Sequence, residues 1–91
     1  MAASLQVGDV IRIPDEDISE SVVDEVFDAE TAERMKRTHP VGARCDRMIA
    51  RDPGDSLIVL CDGAYHYWDH ESDRMIRLGS SPEEFATADD V

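Results

Sequence analysis

The chain has 91 residues, 21 acidic and 9 basic, for a formal net charge of −12, and is 42% apolar and 33% charged. That length allows one small domain over residues 1–91 and not two cores, and the composition is that of a folded chain. The charge repels phosphate backbones and anionic lipid, which argues against a general nucleic-acid or membrane binder.

The N-terminal segment Met1-Ala2-Ala3-Ser4-Leu5-Gln6 has neither the basic region nor the long apolar region of a signal peptide. The expected location is therefore cytoplasmic. Residues 1–6 and 87–91 are expected to fray. Val7-Gly8-Asp9-Val10-Ile11-Arg12-Ile13 reads as a strand, rich in β-branched residues and ended by Pro14. Residues 15–37 read as mostly helical. Asp15 or Asp17 can cap the start, Ile18, Val22, Val26, Ala29, Ala32 and Met35 follow helical spacing, and Arg34, Lys36 and Arg37 suit the far end of the dipole. His39-Pro40-Val41-Gly42 stops the helix. A second reading makes 21–27 a strand, because its valines are weak helix formers, and leaves only 28–37 helical.

From residue 43 onward the pattern is β. Arg44 to Ala50 reads as a strand, and Asp52-Pro53-Gly54-Asp55 as a tight turn with Gly54 at positive φ. Leu57 to Cys61 is apolar throughout, as in a central strand covered on both faces, although too short to cross a bilayer. Asp62-Gly63 is a type I′ hairpin pair. It sets Cys61 opposite Ala64, Leu60 opposite Tyr65, Val59 opposite His66, Ile58 opposite Tyr67 and Leu57 opposite Trp68. Asp69 to Asp73 is a polar loop, Arg74 to Leu78 a closing strand, and Ser81-Pro82-Glu83-Glu84 the capping box of a short helix anchored by Phe85. The expected class is α+β: an antiparallel β-meander over 44–78 with one N-terminal helix packed on the sheet and a short C-terminal helix.

Little in the chain points to catalysis. Cys45 and Cys61 are the only cysteines, without a Cys-x-x-Cys, and are expected as buried free thiols, falling opposite each other only if the first hairpin loop has three residues. His66, Asp69, His70 and Cys61 are metal-ligand types at poor spacing, so no metal is expected. Neither Gly-x-Ser-x-Gly nor a phosphate-cradling glycine loop is present. No enzyme activity and no cofactor are expected.

Charge is distributed in blocks. Residues 1–33 hold ten acids and one base, residues 34–51 six bases and one acid, and residues 52–91 ten acids and two bases. The basic band Arg34, Lys36, Arg37, Arg44, Arg47 and Arg51 is expected to pair with the flanking acids, with a modest anion site as the alternative. The acid itself can serve solubility, steer the protein to a basic partner, or imitate nucleic acid.

Three segments resemble the SUKH superfamily. Ile49-Ala50-Arg51-Asp52-Pro53-Gly54-Asp55 leading into Leu57-Ile58-Val59-Leu60 is similar to that family's turn before a core strand. Tyr67-Trp68-Asp69-His70-Glu71 is similar to its W-D-H-E element, and Ser80-Ser81-Pro82-Glu83-Glu84-Phe85 to the start of its closing helix. The resemblance covers residues 47–86, whereas residues 1–42 lack the family's leucine–proline–tyrosine element and glycine pair. It implies an α+β domain and, for many bacterial members, an immunity protein that neutralises a toxin, often a nuclease.

The expected function is that of a small acidic protein-binding module that inhibits or neutralises a basic protein partner, a toxin or nuclease, as an immunity protein or phage-encoded inhibitor does. Its candidate contacts are Asp15, Glu16, Asp17, Glu20 and Asp24, the loop acids Asp69, Glu71 and Asp73, and Tyr65 and Tyr67 as aromatic anchors where their face is uncovered. Trp68 is expected to be the most buried of these aromatics. The alternatives are a homo-oligomerising module of a phage or bacterial assembly, or a small-barrel accessory domain in which Val7–Ile13 and Ser21–Phe27 form a hairpin.

Overall fold

The computed structural model describes residues 4–87. The chain runs through β1 (Val10–Arg12), β2 (Glu20–Val22), β3 (Glu25–Val26), α1 (Ala29–Thr38), a 3-10 turn (Pro40–Arg44), β4 (Arg47–Arg51), β5 (Leu57–Cys61), β6 (Ala64–Asp69), β7 (Arg74–Gly79), a second 3-10 turn (Pro82–Glu84) and β8 (Ala86–Thr87). A five-stranded sheet has the order β3-β4-β5-β6-β7, and a three-stranded sheet the order β2-β1-β8. Every pairing is antiparallel. The class is α+β.

The central hairpin forms in the register that Asp62-Gly63 dictates, from Cys61 opposite Ala64 to Leu57 opposite Trp68. Both turn residues take positive φ, 52° and 78°, which matches the right-handed strand twist. Because β5 is central, its alternating side chains enter two different cores. Ile58 joins Ile11, Ile13, Val23, Ala50, Tyr67 and Phe85 beneath the three-stranded sheet. Leu57 and Val59 join Phe27, Ala32, Val41, Cys45 and Met48 beneath α1. Complete burial of such a side chain contributes about 1.5–3 kcal/mol, so the unbroken apolar run of β5 is the stabilising centre of the domain.

Of the helix expected over 15–37 only the second half forms, as α1; the first half is a turn and two short strands, in line with the second reading of this segment. Asp15 does not cap a helix but closes a turn, accepting from the Asp17 and Ile18 amides at 2.9 and 3.2 Å, and Ser19 reverses the chain at φ 59°. Val10 then pairs with Val22, the hairpin that the strand reading of 21–27 requires. Val23 packs in the core at 1% exposure. The helical spacing of Ile18, Val22 and Val26 was outweighed by β-branched side chains that pack better on a pleated surface. The helix starts where Asp28 supplies a better cap, accepting from the Thr31 amide at 2.7 Å.

Smaller expectations are corrected, and one alternative left open is decided. The turn after β4 puts Asp55, not Gly54, at positive φ (72°), because the Asp52 carboxylate accepts from the Gly54 and Ser56 amides and sets the loop shape. The loop is longer than three residues, with Arg51 opposite Leu57, and β4 bulges between Met48 and Ala50, so Cys45 and Cys61 are not direct partners. Ser81 makes no side-chain cap bond, the Pro82–Glu84 turn stops after three residues, and Ala86–Thr87 pairs with β1 instead of fraying. Leu5, expected in a frayed terminus, is buried in the first core. Gln6 is likewise tied down, its amide donating to the Asp9 carboxylate at 2.9 Å; residues 1–3 and 88–91 of the expected frayed ends lie outside the described part.

Candidate functional site

In an antiparallel meander alternate connections fall at the same end of the sheet. The β4–β5 loop (52–56) and the β6–β7 loop (70–73) therefore lie side by side, with the Asp62-Gly63 turn at the opposite end. Two hydrogen bonds join the loops: Ser56 Oγ to His70 Nδ1 at 2.9 Å, and the His70 amide to Ser56 Oγ at 3.1 Å. The β1–β2 turn reaches the same end through an ion pair of 2.7 Å between Arg74 and Asp15. Three acidic segments that are remote in sequence thus converge.

At the centre of this end is Asp52, 5% exposed, a position the sequence reading treated only as part of a turn. Its carboxylate accepts from the Tyr67 hydroxyl at 2.6 Å, the Ser21 hydroxyl at 2.8 Å, and the Gly54 and Ser56 amides at 2.9 Å each. A buried carboxylate is tolerated only with such a donor set. Burial, and then the Asp52 carboxylate, push the Tyr67 phenol up to about 12. Tyr67 is therefore a core residue and not an exposed anchor, which corrects its candidacy as a partner contact. Tyr65 is half-buried against Phe85, ring centroids 5.6 Å apart. Trp68, expected to be the most buried of the three, is only half-buried, with its indole N–H donating to Asp73 at 2.6 Å and His39 stacked on it edge-on at 5.2 Å.

Around this centre the structure gathers Asp15, Glu16, Asp17, Asp69, Glu71 and Asp73. Asp15 is held below the usual carboxylate range by Arg74 and then by the Asp17 amide. Asp69 is lowered by the Ser72 hydroxyl and the Glu71 amide, and Asp73 by the Trp68 indole and then Arg44. Arg74 is raised in turn, chiefly by Asp15. Asp24 lies beside the same loop: it, Glu25 and Asp55 contact Arg51 at 3.2, 3.2 and 3.3 Å. Glu20 is exposed on β2, paired across the sheet with Arg12. Each shift resolved among these carboxyls is downward, so those groups carry fixed negative charge at neutral pH and are unsuited to donating protons.

The basic band divides. Arg44 pairs with Asp73 at 2.8 Å, and Arg51 with its three acids. Among the described residues, Arg34, Lys36, Arg37 and Arg47 form no ion pair. Lys36 and Arg47 line a hollow of about 300 Å³ together with Glu33 and Asp46, a surface of mixed charge. Among the described residues no His, Cys, Asp and Glu side chains gather as a metal site, and no helix is long and apolar enough to cross a membrane.

The sequence did not reveal Asp52 or the Ser56–His70 link. The Asp-Pro-Gly-Asp turn was legible, but burial of its first acid depends on a tyrosine fifteen residues away. No known protein family, curated protein or solved structure matches the chain.

Proposed function

We propose that the chain is an acidic binding module that docks on, and thereby inhibits, a basic protein. The single observation that carries this reading is the convergence of three separate acidic segments at one end of the sheet, tied together by Arg74–Asp15 and Ser56–His70. Fixed carboxylates on a hydrogen-bonded frame produce a directed field, which speeds encounter with a basic face and favours it over neutral ones. Such a face is found on proteins that bind nucleic acid, including the nuclease toxins implied by the SUKH-like segment at 47–86. Glu16, Asp17 and Glu71 are exposed, make no ion pair among the described residues, and are the first contacts. In this reading the protein is not an enzyme and needs no cofactor.

The test is affinity capture on the immobilised chain at about 50 mM and about 500 mM salt, where screening falls within about 14 Å and 4 Å. A basic protein retained only at low salt, and lost with the triple variant Glu16→Lys, Asp17→Lys, Glu71→Lys, supports the reading. Retention that ignores both salt and the variant overturns it.

A second reading, self-assembly, is favoured by β7, a six-residue strand that ends the five-stranded sheet and offers an edge for pairing. A sedimentation mass that rises with concentration and is insensitive to the acidic-end variant would favour it.

A further inference from the structure

Outside the acidic end, the free thiols of Cys45 and Cys61 share the core beneath α1. The Asp46 amide donates to the Leu60 carbonyl at 2.7 Å and Arg47 stands opposite Leu60. Continuing that register puts Asp46 opposite Cys61 and Cys45 one step away. Directly opposed residues stand about 5 Å apart and diagonal ones about 7–8 Å, so a separation of roughly 6 Å falls within the span of a disulfide. The side chains also approach: Cys61 Sγ lies 3.0 Å from the carbonyl oxygen of Arg44, the peptide that leads into Cys45. Cys45 Sγ is 3.7 Å from Met48 Sδ, on the face that Cys61 packs against.

We propose that Cys45 and Cys61 form a reversible intramolecular disulfide under oxidising conditions, a redox latch that joins the Pro40–Arg44 turn to the end of β5. The oxidant is a small disulfide such as oxidised glutathione. Cys61, the more exposed thiol, attacks it as thiolate, bonding to one of its sulfurs and releasing one small thiol. Cys45 then attacks Cys61 Sγ, forming the internal S–S bond and expelling the second small thiol. Both cysteine protons leave to solvent and the two expelled small thiolates each take one up to become thiols; the cysteines are oxidised by two electrons, and the small disulfide is reduced by two. Burial raises both thiols above their ordinary range; at Cys45 the neighbouring Cys61 and the Asp46 charge add to the rise and Lys36 opposes it, and at Cys61 the Asp46 amide opposes the rise while the Asp46 and Asp62 charges add to it. Closure is therefore slow at neutral pH and accelerates in alkali, because only the thiolate attacks.

The experiment incubates the intact protein with oxidised glutathione at pH 7 and pH 9 and follows intact mass and the melting midpoint. The expected product is a monomer lighter by two hydrogens, formed faster at pH 9, restored by dithiothreitol, and melting roughly 10 °C higher through closure of the seventeen-residue loop. Cys45→Ala is expected to stop at a stable glutathione adduct on Cys61, and Cys61→Ser to react slowly or not at all. A wild-type protein that keeps its glutathione adducts, keeps both thiols, or crosslinks between chains overturns the proposal. The mass readout holds for the wild-type chain even if either variant folds poorly.

Discussion

Toward the three-stranded sheet, the five-stranded sheet presents Ala50, Ile58 and Tyr67 to Ile11, Ile13, Val23 and Phe85; toward α1 it presents Met48, Leu57 and Val59 to Phe27, Ala32 and Val41. The aliphatic content is similar, but the closures differ. The first face ends in a buried polar node, where Asp52 gathers Tyr67, Ser21 and two loop amides. The second is closed by backbone proximity: a Cβ on Gly42 would lie 2.0 Å from the Lys36 carbonyl oxygen, so the turn after α1 can pass under the helix only as glycine. One side obtains specificity from directed hydrogen bonds that only one loop arrangement satisfies, and the other from shape. The acidic end is attached to the first through Asp52 and the Ser56–His70 link, and to the α1 side only through the bonds of Arg44 and Trp68 to Asp73, so its geometry depends chiefly on the polar node.

The largest expected effect separates the two closures. Asp52→Ala removes an acceptor from four donors, two of them loop amides, and is expected to destabilise by about 4 kcal/mol, with loss of the Ser56–His70 link. A urea-unfolding change under about 1 kcal/mol would show that the node is dispensable. Gly42→Ala is expected to destabilise by roughly 3 kcal/mol through overpacking against helix backbone, while salt-dependent capture of a basic partner persists in the folded fraction. If instead Gly42→Ala abolishes capture with the fold intact, the acidic end is coupled to α1 and the comparison fails.

The pH response discriminates more finely. The Tyr67 phenol ionises near 10 when unfolded and near 12 in the fold. The unfolded chain therefore loses its proton first, and stability is full below pH 10 and falls as pH rises toward 12. Tyr67→Phe is expected to remove that alkaline slope, and an equal slope in both proteins would show that the phenol is not the group responsible. The smallest effect belongs to the rim. Asp15 is lowered in the fold by Arg74, so its contribution is present above its unfolded value near 3.9 and is lost as pH falls through the folded one. Asp15→Asn is expected to flatten the acid limb of a stability–pH profile slightly, and a steeper limb would contradict the assignment.

Much of the meander was legible because its signals are local. Asp62-Gly63 demanded positive φ at both positions and so dictated every pair from Cys61–Ala64 to Leu57–Trp68. The acids of 15–17 and 69–73 were legible as a candidate surface from charge alone. Their convergence was not, because it requires Arg74 and Asp15 to meet across 59 positions. The N-terminal half was misread for a related reason: Ile18, Val22 and Val26 fit a helix locally, and only the pairing of Val10 with Val22 decides for strand.

By itself, the sequence determined the α+β class, the central hairpin with its register and the excess of acid, since each follows from turn chemistry, alternation or composition. Tertiary structure alone decided that β2 is strand, that Tyr67 is buried and Trp68 only partly so, that Asp52 is the node, and that three acidic segments share one end. Those outcomes depend on contacts between residues far apart in the chain, where packing and hydrogen-bond satisfaction outweigh local preference by more than a single residue's propensity can oppose.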